Sequence, residues 1–125
     1  TGLSFGAAFA GGILCNALVC IAVLLAMASK SIIGKIAGIW FPIMAFVLSG
    51  FEHSVANMYY IPAGIFASMN PACATAAQEA GVNMANLNAL GFLGNIVPVT
   101  LGNIVGGAVI ALVMWFCFAR DKKQA

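Results

Sequence analysis

The chain has 125 residues, 63% of them hydrophobic and only 6% charged, with a formal net charge of +2. Its mean hydropathy of +1.07 is more than a soluble domain of this length could carry without exposing large apolar patches, so lipid is the expected solvent. The small positive charge is read against a membrane and not against nucleic acid, because the basic residues flank apolar segments and form no surface interleaved with aromatic residues.

No residue from Leu3 to Ser29 is charged, and that run exceeds the roughly 20 apolar residues that cross a hydrocarbon core. A first span is predicted over about 3–29. It lacks a basic n-region, is too long for a signal-peptide core and is followed by further apolar segments, so it is expected to stay in the mature protein. The start on Thr1, hard against this span, predicts a fragment or a processed product.

The second apolar stretch runs from about Ile36 to Ser68. As one helix it would be about 50 Å long, against a core of about 30 Å, so it must break, tilt or both. Pro42 removes a backbone donor, Gly50 weakens the helix, and Glu52 and His53 follow midway along. The break is predicted near 50–54. A third span is predicted over about 97–119. The stretch between, about 69–96, carries Asn70-Pro71, Gln78, Glu79, Asn83, Asn86 and Asn88 and reads as an outside loop, with room for a helical patch from Ala72 to Ala80.

The basic residues fall in two places, Lys30 and Lys35 after the first span and Arg120, Lys122 and Lys123 after the third. Three crossings put both clusters on one side, which the positive-inside rule makes cytoplasmic, so Thr1 and the 69–96 loop are expected outside. Cys15, Cys20, Cys73 and Cys117 show neither ligand spacing nor a disulfide framework. Small residues four apart, at Gly2/Gly6, Gly34/Gly38 and Gly102/Gly106, have the spacing that lets helix backbones approach closely in lipid.

Unwound backbone at membrane depth survives only where protein or a water-lined cavity satisfies it, so the break predicts an enclosed polar site. Ionisable residues inside spans are costly and usually functional, and here Glu52 and His53 are adjacent. Glu52 is expected to brace the freed amides. His53 is the candidate to face a conduit, since histidine is the side chain that switches charge around physiological pH. It could attract an anion or pass it a proton, because a bare anion is far costlier to dehydrate in an apolar narrow than its neutral conjugate acid. Asn16, in the first span, and Asn57, one turn beyond His53, could cross-link helices or line the conduit. The tetrapeptide Gly-Asn-Ile-Val occurs at Gly94 and again at Gly102, which places Asn103 near the start of the third span.

The residues Gly12-Ile13-Leu14-Cys15-Asn16-Ala17-Leu18-Val19-Cys20-Ile21-Ala22 resemble the fourth-span signature of the formate/nitrite transporter family, with Ala17 and Ile21 departing mildly. Gly50-Phe51-Glu52-His53-Ser54-Val55-Ala56-Asn57-Met58 resembles that family's interrupted fifth span, and Ile96 to Gly107 the opening of its sixth. The resemblance covers essentially the whole chain. It implies an all-α membrane protein whose three transmembrane segments, the middle one broken, form the second inverted repeat of an aquaporin-like six-span fold.

The resemblance further implies a homopentamer with one pore per protomer, in the inner (plasma) membrane of a bacterium or archaeon, C-terminus cytoplasmic. The N-terminal half of the same protein would supply the other wall of each pore, and lipid would cover the rest. His53 matches the central pore histidine, Phe46 and Val19 match apolar slit residues, and Asn16, Glu52, Asn57 and Asn103 match polar positions around the centre. The expected solute is a small monovalent weak-acid anion: formate first, nitrite or hydrosulfide in the same class. No cofactor or metal is expected, nor an enzyme, since the spans hold no second histidine, no aspartate and no His-Glu-x-x-His helix. The competing reading is a non-transporting helical subunit of a membrane complex, for which glycine packing and polar cross-links would suffice.

Overall fold

A computed structural model describes residues 2–119. They form five α-helices: α1 (Phe5–Ala28), α2 (Ile32–Leu48), α3 (Ser54–Ser68), α4 (Pro71–Glu79) and α5 (Ala89–Met114), with a π-helical turn, Trp115–Ala119, closing α5. No strand occurs among the described residues. Arg120, Lys122 and Lys123 lie outside the described residues, so their part in the orientation argument has no structural counterpart.

Every helix opens on a side chain that accepts from its first turn, the usual remedy for the unpaired amides at a helix start. The caps are Ser4, Ser31, His53, Asn70 and Asn88. The Asn88 cap accounts for one difference from the sequence reading. Asn88 Oδ1 accepts from Gly91 N at 2.8 Å, so α5 begins at Ala89 and takes in residues that had been assigned to the loop. Asn103 therefore sits deep inside α5 and not near its start. Pro98 is likewise interior, as are Pro42 in α2 and Pro62 in α3. The remainder of the loop carries α4, whose N-cap is followed by Pro71 at the first helical position, where a missing N–H costs nothing.

Helix α1 packs mainly on α5 and, more lightly, along α2, while α3 lies on α5 and α4 folds back on α3. The α1–α5 crossing is close because glycines face it. A Cβ on Gly102 would meet the Phe9 carbonyl oxygen, one on Gly106 the Ile13 carbonyl oxygen, and one on Gly12 the Val99 carbonyl oxygen at 2.7 Å. Gly38 brings α2 to Leu25 in the same way, whereas Gly2 and Gly6 have open space around them. The spacing of four marks contact only where a partner helix is present. The buried set, Ala8, Cys15, Ala22 and Val99 with the asparagines below, lies largely on this crossing. Outward, α1 and the segment Ala89–Phe118 are each long and apolar enough to cross a membrane. Their exposed leucines, valines and phenylalanines would find a matching solvent in lipid tails.

Candidate functional site

The break between α2 and α3 is a helix stop followed at once by a helix start. Gly50 adopts a left-handed conformation, φ 65°. Its N–H bonds to Val47 O at 3.1 Å and the Phe51 N–H to Phe46 O at 3.1 Å, the pair of bonds that closes a helix through a left-handed residue. Two residues later His53 caps α3, its Nδ1 accepting from Ala56 N at 3.4 Å. The nitrogen that accepts carries no proton, so the neutral ring holds its hydrogen on Nε2. The stop is made by Gly50 alone. Pro42, proposed above as a contributor, is buried inside an unbroken α2, consistent with the tolerance of membrane helices for proline.

Asn103 is the anchor of this break. Its Oδ1 accepts from Ser54 N at 3.0 Å and Ser54 Oγ at 2.9 Å. Its Nδ2 donates to Gly12 O at 2.8 Å and to Glu52 O at 3.1 Å. One carboxamide thus joins α5 to α1, to the unwound backbone and to the first turn of α3. Asn16 on α1 completes the anchor by donating to the Asn103 carbonyl oxygen at 2.5 Å. Asn16 braces helices here and does not line the groove described next.

A groove of about 330 Å³ runs beside the break, lined by Phe46, Gly50, Phe51, Glu52, His53 and Asn57, with Tyr60 among the further residues along it. The Phe46 and His53 rings lie 6.0 Å apart, tilted by 32°. Glu52 Oε2 accepts from Asn57 Nδ2 at 2.5 Å and from Asn95 Nδ2 at 3.1 Å, and Asn57 Nδ2 also donates to Asn95 Oδ1 at 2.8 Å. The groove therefore combines an apolar end at Phe46, a titratable ring at His53 and a carboxylate held by two amides. A larger apolar cleft, of about 440 Å³, lies along α2, and one of about 330 Å³ lies between α1 and α2. They hold none of this polar chemistry. Among the described residues, no three His, Cys, Asp or Glu side chains gather where a metal ion could be held.

The family model described as formate/nitrite transporter matches residues 1–117. The chain belongs to the formate/nitrite transporter family. It is 49% identical over 120 residues to a probable formate transporter of Methanothermobacter thermautotrophicus, covering 95% of this chain and 38% of that protein. Against the formate channel FocA of Escherichia coli (strain K12) it is 41% identical over 117 residues, covering 89% of this chain and 40% of FocA. A transporter of Bacillus subtilis (strain 168), YrhG, is 46% identical over 123 residues, covering 98% of this chain and 40% of that protein. The chain thus spans about two fifths of the length of these relatives. They are named as transporters or channels, not as enzymes, and this member of the family is a membrane protein of all-helical build.

Of the residues singled out in this formate/nitrite transporter sequence, Phe46, Glu52, His53 and Asn57 meet in the groove, and Asn16 and Asn103 stand behind the break as its anchors. Val19 lies apart, in the cleft between α1 and α2 with Ala22 and Ile43. Ser54, Tyr60 and Asn95 are among the groove and anchor residues that were not predicted as site residues. The signal for Asn95 was present in the sequence, because it is the counterpart of Asn103 in the repeated Gly-Asn-Ile-Val.

Proposed function

We propose that the complete protein is a membrane channel or transporter for small monovalent weak-acid anions, with formate the first candidate and nitrite and hydrosulfide in the same chemical class. In this reading the chain is the second of two inverted repeats of an aquaporin-like six-span fold. Its middle span is α2 and α3 together, and the N-terminal half of the same protein closes the groove. Five such protomers assemble in the plasma membrane of a bacterium or archaeon, with the C-terminus in the cytoplasm.

The observation that carries the reading is His53 capping α3 beside Phe46 in the groove. With Nδ1 occupied by the cap, the neutral ring presents Nε2–H to a solute. The amino end of α3 adds the partial positive charge of a helix N-terminus, which favours an anion in front of it. Phe46 offers no replacement for lost hydration. A bare anion is therefore penalised there, and the neutral ring offers it a hydrogen bond from Nε2–H. Passing it a proton to make the neutral acid requires the imidazolium, which carries a proton on Nδ1 as well and so gives up the Ala56 cap bond until it is neutral again. Asn57, one turn along α3, supplies a further polar side chain along the groove.

The test is formate flux into liposomes holding the complete protein, at two pH values. His53→Asn keeps a good helix cap but cannot titrate. We expect it to assemble normally and to lose the pH response of flux. Rates and pH response equal to those of the unmodified protein would remove His53 from the mechanism.

A further inference from the structure

The repeated Gly-Asn-Ile-Val supplies α5 with two asparagines eight residues apart, about 12 Å along the helix axis. Both side chains are buried, Asn95 at 5% and Asn103 at 8% exposure. Asn103 grips the main chain of the break, and Asn95 grips its carboxylate.

We propose that Asn95 is a positioning residue for the pathway, holding the Glu52 carboxylate and Asn57 in a closed three-member ring of hydrogen bonds. The inference rests on the transport reading above. Three hydrogen bonds close the ring. Asn57 Nδ2 spends its two hydrogens on Glu52 Oε2 and Asn95 Oδ1, and Asn95 Nδ2 gives one to the same Glu52 oxygen. Glu52 Oε2 thus takes two donors, which an ionised carboxylate does without offering a proton in return. Asn95 is not among the residues lining the groove beside the break and borders a separate cleft with Asn86 and Asn88, so its reach into that groove is through Glu52 and Asn57. Glu52 is the chain neighbour of His53. Loosening its side chain changes the charge and hydrogen bonding beside the imidazole, while Asn103 still holds the main chain.

The ring can be probed by changing one donor to an acceptor. Asn95→Asp sets a second carboxylate against Glu52, and two carboxylates in contact must share a proton to coexist. The titratable groups near Glu52 are His53 beside it, Tyr60 in the same groove and Cys15 on α1; α5 from Ala89 to Met114 has none.

The measurement is formate flux of the complete protein in liposomes, each variant expressed as a ratio to the unmodified protein at the same pH. For Asn95→Asp we expect a ratio roughly tenfold or more below unity at neutral pH, the scale of one lost hydrogen bond to a charged group, rising as pH is lowered. Joining Asn95→Asp to Glu52→Gln swaps carboxylate and amide and restores a donor–acceptor pair. This double variant should regain much of the loss and show a pH-independent ratio. Asn95→Asp behaving as the unmodified protein at every pH, or a swap no better than Asn95→Asp alone, overturns the proposal. Should Asn95→Asp fail to assemble, the swap decides: recovered assembly and flux uphold the ring, and continued failure overturns it.

Infrared spectra separate this inference from the transport reading. A protonated-carboxyl band in Asn95→Asp, absent from the unmodified protein and from the swap, supports the ring even if the unmodified protein passes no anion. Its absence counts against the ring whatever the flux.

Discussion

Replacing Asn103 by leucine tests the account of how the break is held. The substitution removes two acceptor contacts from Ser54 and two donations, to Gly12 O and Glu52 O. Ser54 is 7% exposed, so its N–H is orphaned at the start of α3, where no preceding helical turn can accept it. A buried donor left unpaired costs about 1–3 kcal/mol, and hydrogen bonds between helices in lipid average about 0.6 kcal/mol. One orphan and three other lost bonds sum to about 4 kcal/mol, or nearly a thousandfold in the folding equilibrium. Ser54→Ala removes only the hydroxyl bond and should cost under about 1 kcal/mol by the same interhelical average. The assay is unfolding of the complete assembly in detergent micelles, with formate flux measured alongside. An Asn103→Leu protein no less stable than Ser54→Ala, with flux intact, would show that the break stands without its α5 anchor.

Two further outcomes follow from the backbone. Gly102→Val places a side chain against the Phe9 carbonyl oxygen and Gly12 Cα, so α1 and α5 must part at a cost of about 1–3 kcal/mol. Gly6→Ala, which meets nothing within 4 Å, should be near neutral, and thermal melts of the two side by side check the difference. At Gly50 no neighbour lies within 4 Å, yet φ is +65°, so Gly50→Val should destabilise through backbone strain alone, by about 1–2 kcal/mol. Gly50→Asn should be milder because asparagine tolerates that region better; equal melts for valine and glycine at this position would refute the helix stop drawn at Gly50.

The break was legible because its signals are local. A glycine that can turn left-handed, followed three residues later by a side chain able to cap, is a stop and a start written side by side, and α2 ends and α3 begins there. The start of α5 was equally local, resting on the Asn88 cap, but the polar run before it outweighed that signal and moved the expected boundary inward. Pro42 misled in the opposite sense: its missing donor is a weak disturbance inside an apolar helix. Asn95 and Asn103 could be seen as a repeat but not as a clamp. Their partners lie 38 to 91 residues away in the chain, and no period or spacing encodes which carbonyl a carboxamide will meet.

The accounting of the break explains why the anchors are asparagines on a neighbouring helix. Unwound backbone in an apolar setting must find partners within the protein, and five main-chain groups of the break find them nearby. The Gly50 and Phe51 amides return to α2, the His53 carbonyl accepts from the Asn57 amide, and the Glu52 carbonyl and Ser54 amide both go to Asn103. A carboxamide suits this task because it donates and accepts at once without carrying charge. With these main-chain groups satisfied from behind, the Glu52 carboxylate and the His53 ring need not hold the break open themselves. Beyond their ring and cap bonds, Glu52 Oε1 and His53 Nε2 have no partner among the described residues, and both residues line the groove. The division follows from that: Asn103 supports the backbone, Asn95 and Asn57 bond the carboxylate, and the imidazole keeps one nitrogen unpartnered, the one that the proposed function gives to the solute. If the division is right, variants of the anchors and of His53 should differ in kind, the former lowering stability and flux together and the latter changing the pH response in an assembly that still melts like the unmodified protein.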